Sequence, residues 1–483
     1  MGHDEMYDLI VLGAGPAGVA ATERAARMGA KVCLVDAQRA GGTDAVSGVV
    51  PARTLAYIAH LKRTAEQLGR YGIDVGEPKL DFARALARCR EVVDEVHASK
   101  EALAEQLGEG DNLTVLENVG GARFVDSHTI ALEDGRRLSA GRFVVCTGGH
   151  ARRPDFPGGE HALVPSDLWQ SATSLPASAV IQGTGHTGIQ VASILADFGC
   201  RVHLLERGPR ILSHEDQDLA AAIQAAFEER GIAVVTGVET ARGIEKQDEA
   251  LSFRFLRNGA EEQIACKAVV VSLGWVPNTK AIGLDIAGVA LNERGYVKVD
   301  ESLRSSQPHI YAAGDVTGRM MLVTAAMQDG YVAAGNALTG ARESVRHGVV
   351  STGGYPFPEH GSVGLTEAQA RQAYDCEVAK VPYSENQRAI IDGKTTGFCK
   401  LIVDRKSHGI VGAHVVGERA VEVVQLVAAG MASGLRVQQL AALDLAYPTY
   451  VQIVGEAAYR ACLAMGLEIR DIEPGGTPLA KAV

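Results

Sequence analysis

The pattern that decides the fold begins Tyr7-Asp8-Leu9-Ile10-Val11-Leu12-Gly13-Ala14-Gly15-Pro16-Ala17-Gly18. The apolar run at 9–12 reads as a buried parallel strand. Gly13, Gly15 and Gly18 then space out a Gly-x-Gly-x-x-Gly turn, with Pro16 and Ala17 between them. Glycines so placed let a backbone approach a pyrophosphate, and the helix that follows aims its N-terminus at that charge. Residues 19–28 read as that helix, rich in alanine and ended by Gly29. Residues 31–35 read as the next strand and stop at Asp36, where an acid takes ribose hydroxyls. A glycine fingerprint alone is a weak signal. Strand, turn, helix, strand and acid in register make a dinucleotide site.

The same unit recurs. Ala179-Val-Ile-Gln-Gly-Thr-Gly-His-Thr-Gly188 repeats the turn at Gly183, Gly185 and Gly188. A helix at 189–198 and a strand at 201–205 follow, and the strand ends at Glu206. Two such units call for two dinucleotides. Glu206 favours NADH over NADPH, because a carboxylate accepts a bond from the ribose 2′-OH and repels a 2′-phosphate. Arg207 next door works against that preference.

The bulk properties agree with an α/β enzyme. The chain has 483 residues, enough for about three domains. Its net charge of -11 argues against nucleic acid, and no basic patch with interleaved aromatics stands out. The longest apolar runs, such as 268–273, are strand-sized, so no membrane span is expected. The acidic start, residues 1–8, lacks a signal-peptide pattern, and a cytoplasmic location is expected. The eight cysteines include no Cys-x-x-Cys and no close pair, which leaves no metal or disulfide framework. Each reads as a small buried hydrophobe.

Between the two units lies Gly41-Gly42-Thr43-Asp44-Ala45-Val46-Ser47-Gly48-Val49-Val50-Pro51-Ala52-Arg53-Thr54. It resembles the redox segment of the pyridine nucleotide–disulfide oxidoreductases, such as dihydrolipoamide dehydrogenase, glutathione reductase and mercuric reductase. There the segment reads Gly-Gly-Thr-Cys, four residues, Cys, apolar, Pro-Ser-Lys. On this chain the cysteine places fall on Asp44 and Val49, and the lysine place on Arg53. A dithiol relay needs one thiol to attack and one to resolve. Neither is here.

The resemblance continues along the chain. Long helices are expected from Leu55 to Leu107, a strand and turn at 112–124, and a hairpin of 129–132 with 137–138. The strand at 143–149, ending Thr147-Gly148-Gly149, is similar to the motif that closes the flavin domain. Gly274-Trp-Val-Pro-Asn-Thr279 is similar to the turn that leads back to it. Ile310-Tyr-Ala-Ala-Gly-Asp-Val316 carries Asp315 to the place that meets the flavin ribityl chain. Residues 321–330, with Leu322, match the helix that starts beneath the flavin ring. From about residue 348 the pattern resembles the family's dimerisation domain.

What this implies is an α/β chain with two Rossmann-like dinucleotide-binding domains, for FAD and NAD, plus a C-terminal α+β dimerisation domain. The expected limits are 1–155 with 285–347 for FAD, 156–284 for NAD, and 348–483 for the interface of a homodimer. The implied FAD and NAD contacts are Gly13, Gly15, Pro16, Ala17, Gly18, Asp36, Gly42, Thr43, Thr147, Gly148, Asp315 and Leu322, then Gly183, Gly185, Gly188, Glu206 and Gly274. The tail after Gly466 matches no motif.

Departures from the family cluster around the chemistry. Gln190 stands where a glutamate pairs with the redox-segment lysine, so Lys–Glu becomes Arg53 and Gln190 and leaves a cation without its carboxylate. His186 occupies the place of a residue that covers the nicotinamide pocket. The segment His-Pro-Thr-x-x-Glu reads Tyr447-Pro448-Thr449-Tyr450-Val451-Gln452, so the acid/base histidine is Tyr447 and its glutamate is Gln452. A phenol titrating near ~10 does not shuttle a thiol's proton near neutral pH. Thiols, base and orienting acid are absent together, while both glycine fingerprints stand. The expected activity is hydride transfer from NADH, less readily NADPH, through FAD to a small non-disulfide electron acceptor, foremost a quinone. Asp44, Ala45, Val49, Tyr447 and Tyr450 are expected to line the acceptor cleft. Asp44, Arg53, Gln190 and Tyr447 are the candidate catalytic residues. The alternatives are a soluble pyridine nucleotide transhydrogenase and a non-catalytic redox-sensing flavoprotein.

Overall fold

The computed structural model describes residues 5–107, 112–248, 250–345 and 347–469. Its first sheet is built on the strand Glu5–Leu12, whose residues 9–12 are almost fully buried. Val32–Val35 lies parallel on one side and Arg137–Val145 parallel on the other. Leu113–Leu116 extends the sheet beyond Val32–Val35. The stretches 137–138 and 143–145, read separately from the sequence, are one strand. Arg142 pairs with Leu9 in unbroken register between them. That strand serves two neighbours along one edge: its start pairs antiparallel with Thr129–Leu132, and its end pairs parallel with Ile310–Ala312. The return of residues 310–312 leaves Asp315 in the turn Gly314–Thr317, just past the end of that added strand.

Helix Pro16–Arg27 covers this sheet against helix Val323–Thr339. A Cβ built on Gly330 would stand 1.9 Å from the Ala17 carbonyl oxygen, so only glycine lets the two backbones approach so closely. On the other face Phe124 and Phe143 meet edge to face at 5.0 Å, both fully buried, each contributing about 2–3 kcal/mol.

A second, four-stranded parallel sheet runs Ala233–Val235, Arg201–Leu205, Ser178–Gln182, Ala268–Val271. An antiparallel sheet of Val238–Gln247, Ala250–Arg257 and Ala260–Cys266 stands beside it. The C-terminal sheet is antiparallel throughout: Ser351–Gly354, His360–Gly364, Ile410–Val416, Phe398–Asp404, Cys376–Pro382. Helices Ala420–Ala432 and Gln452–Met465 bury an aliphatic core against it.

Helix Val49–Gln67 begins six residues before the expected Leu55. Pro51 sits in its first turn, where a missing N–H costs no intrahelical bond. Helix Phe82–Leu107 follows as expected. No helix among the described residues is long and apolar enough to cross a membrane. The tail after 469 and residues 1–4 lie outside the described residues.

Candidate functional site

The two glycine turns share one construction. At the first, a Cβ on Gly18 would fall 1.7 Å from the Gly13 carbonyl oxygen; at the second, a Cβ on Gly188 would fall 2.0 Å from that of Gly183. These glycines seat each helix on its own strand. Gly15 and Gly185 differ in kind. A Cβ on Gly185 would meet no protein atom within 4 Å, and one on Gly15 only the Gly42 Cα at 3.9 Å. Both are the N-cap of a helix, and neither end has a side-chain cap. Their bareness fits an anionic group lying over the turn rather than any packing within the chain.

The acids at the strand ends brace these turns. Asp36 accepts from the Ala14 amide (2.6 Å) and the Gln38 amide (2.8 Å), and burial raises its pKa. Glu206 accepts from the Thr184 hydroxyl and the Gly208 amide, the latter at 2.7 Å.

Around the first turn the chain folds back on itself. Gly42 lies beside Gly15, and the Thr43 hydroxyl donates to the Gly149 carbonyl at 3.3 Å. Thr147 donates its hydroxyl to the Asn278 carbonyl (2.9 Å), and the Asn278 amide donates to the Thr147 carbonyl (2.7 Å). The Gly274 carbonyl accepts from the Arg152 amide at 2.9 Å, so Thr147, Gly148 and Gly274 form one clasp between the two nucleotide units. Asp315 is partly buried, and burial pushes its carboxyl up to about 6. Leu322 is the N-cap of helix Val323–Thr339. A desolvated carboxyl, a bare glycine turn and a second helix N-terminus converge on this side. They fit FAD: Asp315 toward its hydroxyls, and the turn of Gly13, Gly15 and Gly18 toward its pyrophosphate.

The redox segment is helical. Thr43–Ser47 makes a wide π-type turn that carries a partly buried Asp44, and Val49 is exposed where helix Val49–Gln67 starts. All eight cysteines are buried, and none forms a disulfide. Burial raises Cys89 and Cys266 to about 11 and Cys200 and Cys399 to about 12, far from the thiolate range.

Two expectations about Arg53 are corrected. Arg53 and Gln190 do not face each other as a pair; they share Tyr355. The Arg53 guanidinium stacks 4.0 Å over the Tyr355 ring, while Gln190 accepts from the Tyr355 amide at 3.5 Å. Nor is Arg53 left without acids. Glu359 lines the same small cavity as Arg53, Tyr355, His60 and Glu418, and the charges of Arg53 and Glu359 act on each other. Burial, then the charge of Glu422, raises Glu359 to about 7. The loss of one glutamate at position 190 is offset by acids from another segment.

A third correction concerns Tyr450. The residue is 6% exposed, donates its hydroxyl to Asp392 at 2.9 Å and packs on Tyr383, so it belongs to the C-terminal core, and the pocket it borders is lined by Pro448, Thr449, Val451 and Glu422, not by Asp44. The tyrosine sits at a helix-like spacing from the core residue Val454, which the proline-based alignment did not weigh. Tyr447 is 65% exposed and free of that core. Gln452 opens helix Gln452–Met465 and accepts from the Thr449 amide at 3.5 Å. His186, expected over the nicotinamide pocket, contacts His360 (3.0 Å) and Glu215 (3.1 Å). Sequence reading missed Tyr355, Glu359, Glu215 and His360. The one available signal was a histidine in an otherwise small and apolar strand, His360–Gly364. No group of three or more metal-ligating side chains occurs among the described residues.

With this geometry in hand, two family models cover the chain. Residues 7–330 match the pyridine nucleotide-disulphide oxidoreductase model, and 350–458 match the dimerisation domain of the same group. The chain belongs to the pyridine nucleotide-disulphide oxidoreductase family. Within that family it is similar to the glutathione reductase of Nostoc sp., 32% identical across 89% of this chain and 94% of that one. The dihydrolipoyl dehydrogenase of Thermus scotoductus is 32% identical across 94% and 96%. Among solved structures, the HOCl-induced flavoprotein disulfide reductase RclA from Escherichia coli superposes with a TM-score of 0.84 at 26% identity, across 94% of this chain and 99% of that one. Membership makes this chain an FAD-dependent, NAD(P)H-using flavin oxidoreductase with a dimerisation domain.

Proposed function

We propose that this oxidoreductase passes hydride from NADH to a diffusible acceptor other than a disulfide, with a quinone as the first choice, and that it works as a homodimer. The observation that carries this is the state of its sulfur. Asp44 and Val49 occupy the dithiol places, and every cysteine is buried. No thiol stands ready to attack a disulfide substrate. Bound at the first turn, FAD supplies the hydride chemistry between nicotinamide and acceptor. The protein's part is placement. The turn of Gly183, Gly185 and Gly188 seats the nicotinamide dinucleotide, and Glu206 selects the unphosphorylated ribose. Arg53, fixed over Tyr355, supplies a permanent positive charge beside the redox segment. The exposed Tyr447 offers an aromatic face to a flat acceptor in the cleft completed by the second subunit, with Asp44 at its rim.

Anaerobic stopped-flow with NADH and then NADPH, followed by a menadione-type quinone, tests the reading. Rapid bleaching of the flavin band, no long-wavelength thiolate band and fast reoxidation by quinone are expected. Lipoamide or glutathione disulfide reduced at enzymic rates would overturn it. Fast reoxidation by NADP⁺ instead of quinone would favour a soluble transhydrogenase, which needs one nicotinamide turn and no thiol. If neither nucleotide bleaches the flavin within seconds, the chain is a sensing flavoprotein.

A further inference from the structure

The second glycine turn is joined to the C-terminal sheet by a chain of titratable groups. His186, the first residue of helix His186–Phe198, contacts Glu215 through Nε2 (3.1 Å) and His360 Nε2 through Nδ1 (3.0 Å), its ring stacked on that of His360. The other Glu215 oxygen lies 2.6 Å from the Ser362 hydroxyl. Ser362 lies 3.1 Å from His414 Nδ1, and His414 Nε2 lies 3.0 Å from the Leu365 carbonyl. Apart from His186, whose side chain is 44% exposed, every member is buried, from 9% exposed at Glu215 to 0% at His360. The Arg210 guanidinium pins the loop by donating to the Glu215 carbonyl.

Counting protons along this chain leaves a remainder. Burial lowers His360 to about 3, so it is neutral; donating Nε2–H to His186 leaves its unpartnered Nδ1 as a bare acceptor, which is cheaper than an orphaned N–H. His186 then donates Nε2–H to Glu215. At the far end the Leu365 carbonyl only accepts, so His414 Nε2 carries a hydrogen. Ser362 has one hydrogen and two acceptor neighbours. Both contacts close only if one extra proton is present. It sits on His414 Nδ1, with Ser362 donating to Glu215, because against its burial the bonds from His186 and Ser362 hold the Glu215 carboxyl down to about 2. Burial brings His414 below the usual imidazole range, while Asp216, the Leu365 carbonyl and Glu215 work for the charged form. Lys400, bonded to Asp216 at 3.0 Å, works against it.

We propose that His414 takes up one buried proton that Ser362 couples to Glu215, and that Glu215 thereby holds His186 beside the second glycine turn and links dinucleotide binding to proton uptake. This rests on the reading that the second turn takes a nicotinamide dinucleotide. The pyrophosphate brings negative charge to the His186 end of the chain and favours its protonated state. By reciprocity, protonation tightens binding. Glu215 is a positioning residue here, acting through His186.

The test is calorimetric titration of the holoenzyme with NAD⁺ between pH 6 and 8.5, in buffers of different ionisation enthalpy. Proton uptake on binding and an affinity about fivefold higher at the acid end are expected. Ser362→Ala and His414→Gln, which leave His186 in place, are expected to abolish both, as is Glu215→Gln. Normal binding by the wild-type protein without buffer dependence overturns the relay and leaves the dinucleotide site standing. A pH slope that survives Ser362→Ala and His414→Gln but is lost in His186→Gln also overturns it, since the imidazole then titrates alone. Absence of NAD⁺ binding overturns the underlying reading, and the relay with it. Should the variants not fold, absence of proton uptake by the wild-type protein still overturns the relay.

Discussion

The two glycine turns are nearly superposable in conformation and differ in what fastens them. Gly13 and Gly183 share a φ of +101°, and Gly15 (φ -71°, ψ -178°) matches Gly185 (φ -69°, ψ 179°). Behind the first turn stands backbone against backbone, with helix Pro16–Arg27 pressed on helix Val323–Thr339 at Gly330. Behind the second stand titratable side chains on His186, His360 from the C-terminal sheet and Glu215 from the loop before helix Gln217–Glu229. Steric seating is indifferent to pH and redox state, whereas a hydrogen-bonded seat is adjustable. The first turn suits a cofactor that stays, the second a substrate that comes and goes.

The largest effect should come from adding one methyl group to either turn. Gly18→Ala sets a Cβ 1.7 Å from a backbone oxygen, which forces helix and strand apart at a cost of about 3 kcal/mol. The purified protein should carry little FAD and melt well below wild type. Gly188→Ala, at 2.0 Å, should keep its flavin and lose NADH binding. Flavin content after gel filtration and NADH titration separate the two. If both variants lose flavin alike, the turns are not independent and the comparison fails.

This asymmetry was half legible in the sequence. The fingerprints, their acids and the order of the domains depend on local spacing, so residues 7–36 and 179–206 disclosed themselves. The aligned Pro448 and Thr449 placed Tyr447 and Tyr450 in the sequence, yet Tyr450 turned into the core because Asp392 and Tyr383, some sixty residues away, give it a hydroxyl partner and a packed neighbour. Glu359 and Glu215 were invisible for the same reason. Each acts on a residue more than twenty positions distant, across a contact that spacing does not encode.

A charge cluster beside the relay anchors the second turn's domain to the C-terminal sheet. Lys400, 2% exposed, lies 3.0 Å from the equally buried Asp216 and 3.3 Å from Asp218. Lys400→Met leaves Asp216 without its cation, and a buried pair broken from one side loses about 3 kcal/mol. Chemical denaturation should show that loss, with flavin retained until the main transition. An unchanged midpoint would mean that the cluster is no anchor.

Glu359 sharpens the same contrast through pH. Its carboxyl is raised to about 7, so between about 4.5 and 7 the native state holds a proton that the unfolded chain has released. Its stabilisation is therefore present at low pH and lost as pH rises through 7. Glu359→Gln should remove about 3 kcal/mol of that dependence and leave the protein more stable at pH 8. Melting curves across that range, read for wild type and variant together, give the difference directly. Parallel curves would show Glu359 to be solvated instead.

The smallest effect separates the two acids that end the second strand of each unit. Asp36 braces the Ala14 and Gln38 amides of a turn that needs no discrimination between phosphorylated and plain ribose. Glu206 braces the Thr184 hydroxyl and the Gly208 amide where that discrimination falls. Removing its charge by Glu206→Ser should weaken NADH about tenfold, near 1.4 kcal/mol, and relieve the repulsion of a 2′-phosphate, so the NADH to NADPH preference narrows or inverts with Arg207 alongside. Flavin content should not change. Steady-state KM values for both nucleotides read the shift. If the preference is unmoved, Glu206 serves only the turn, as Asp36 does, and selectivity resides elsewhere in the second site.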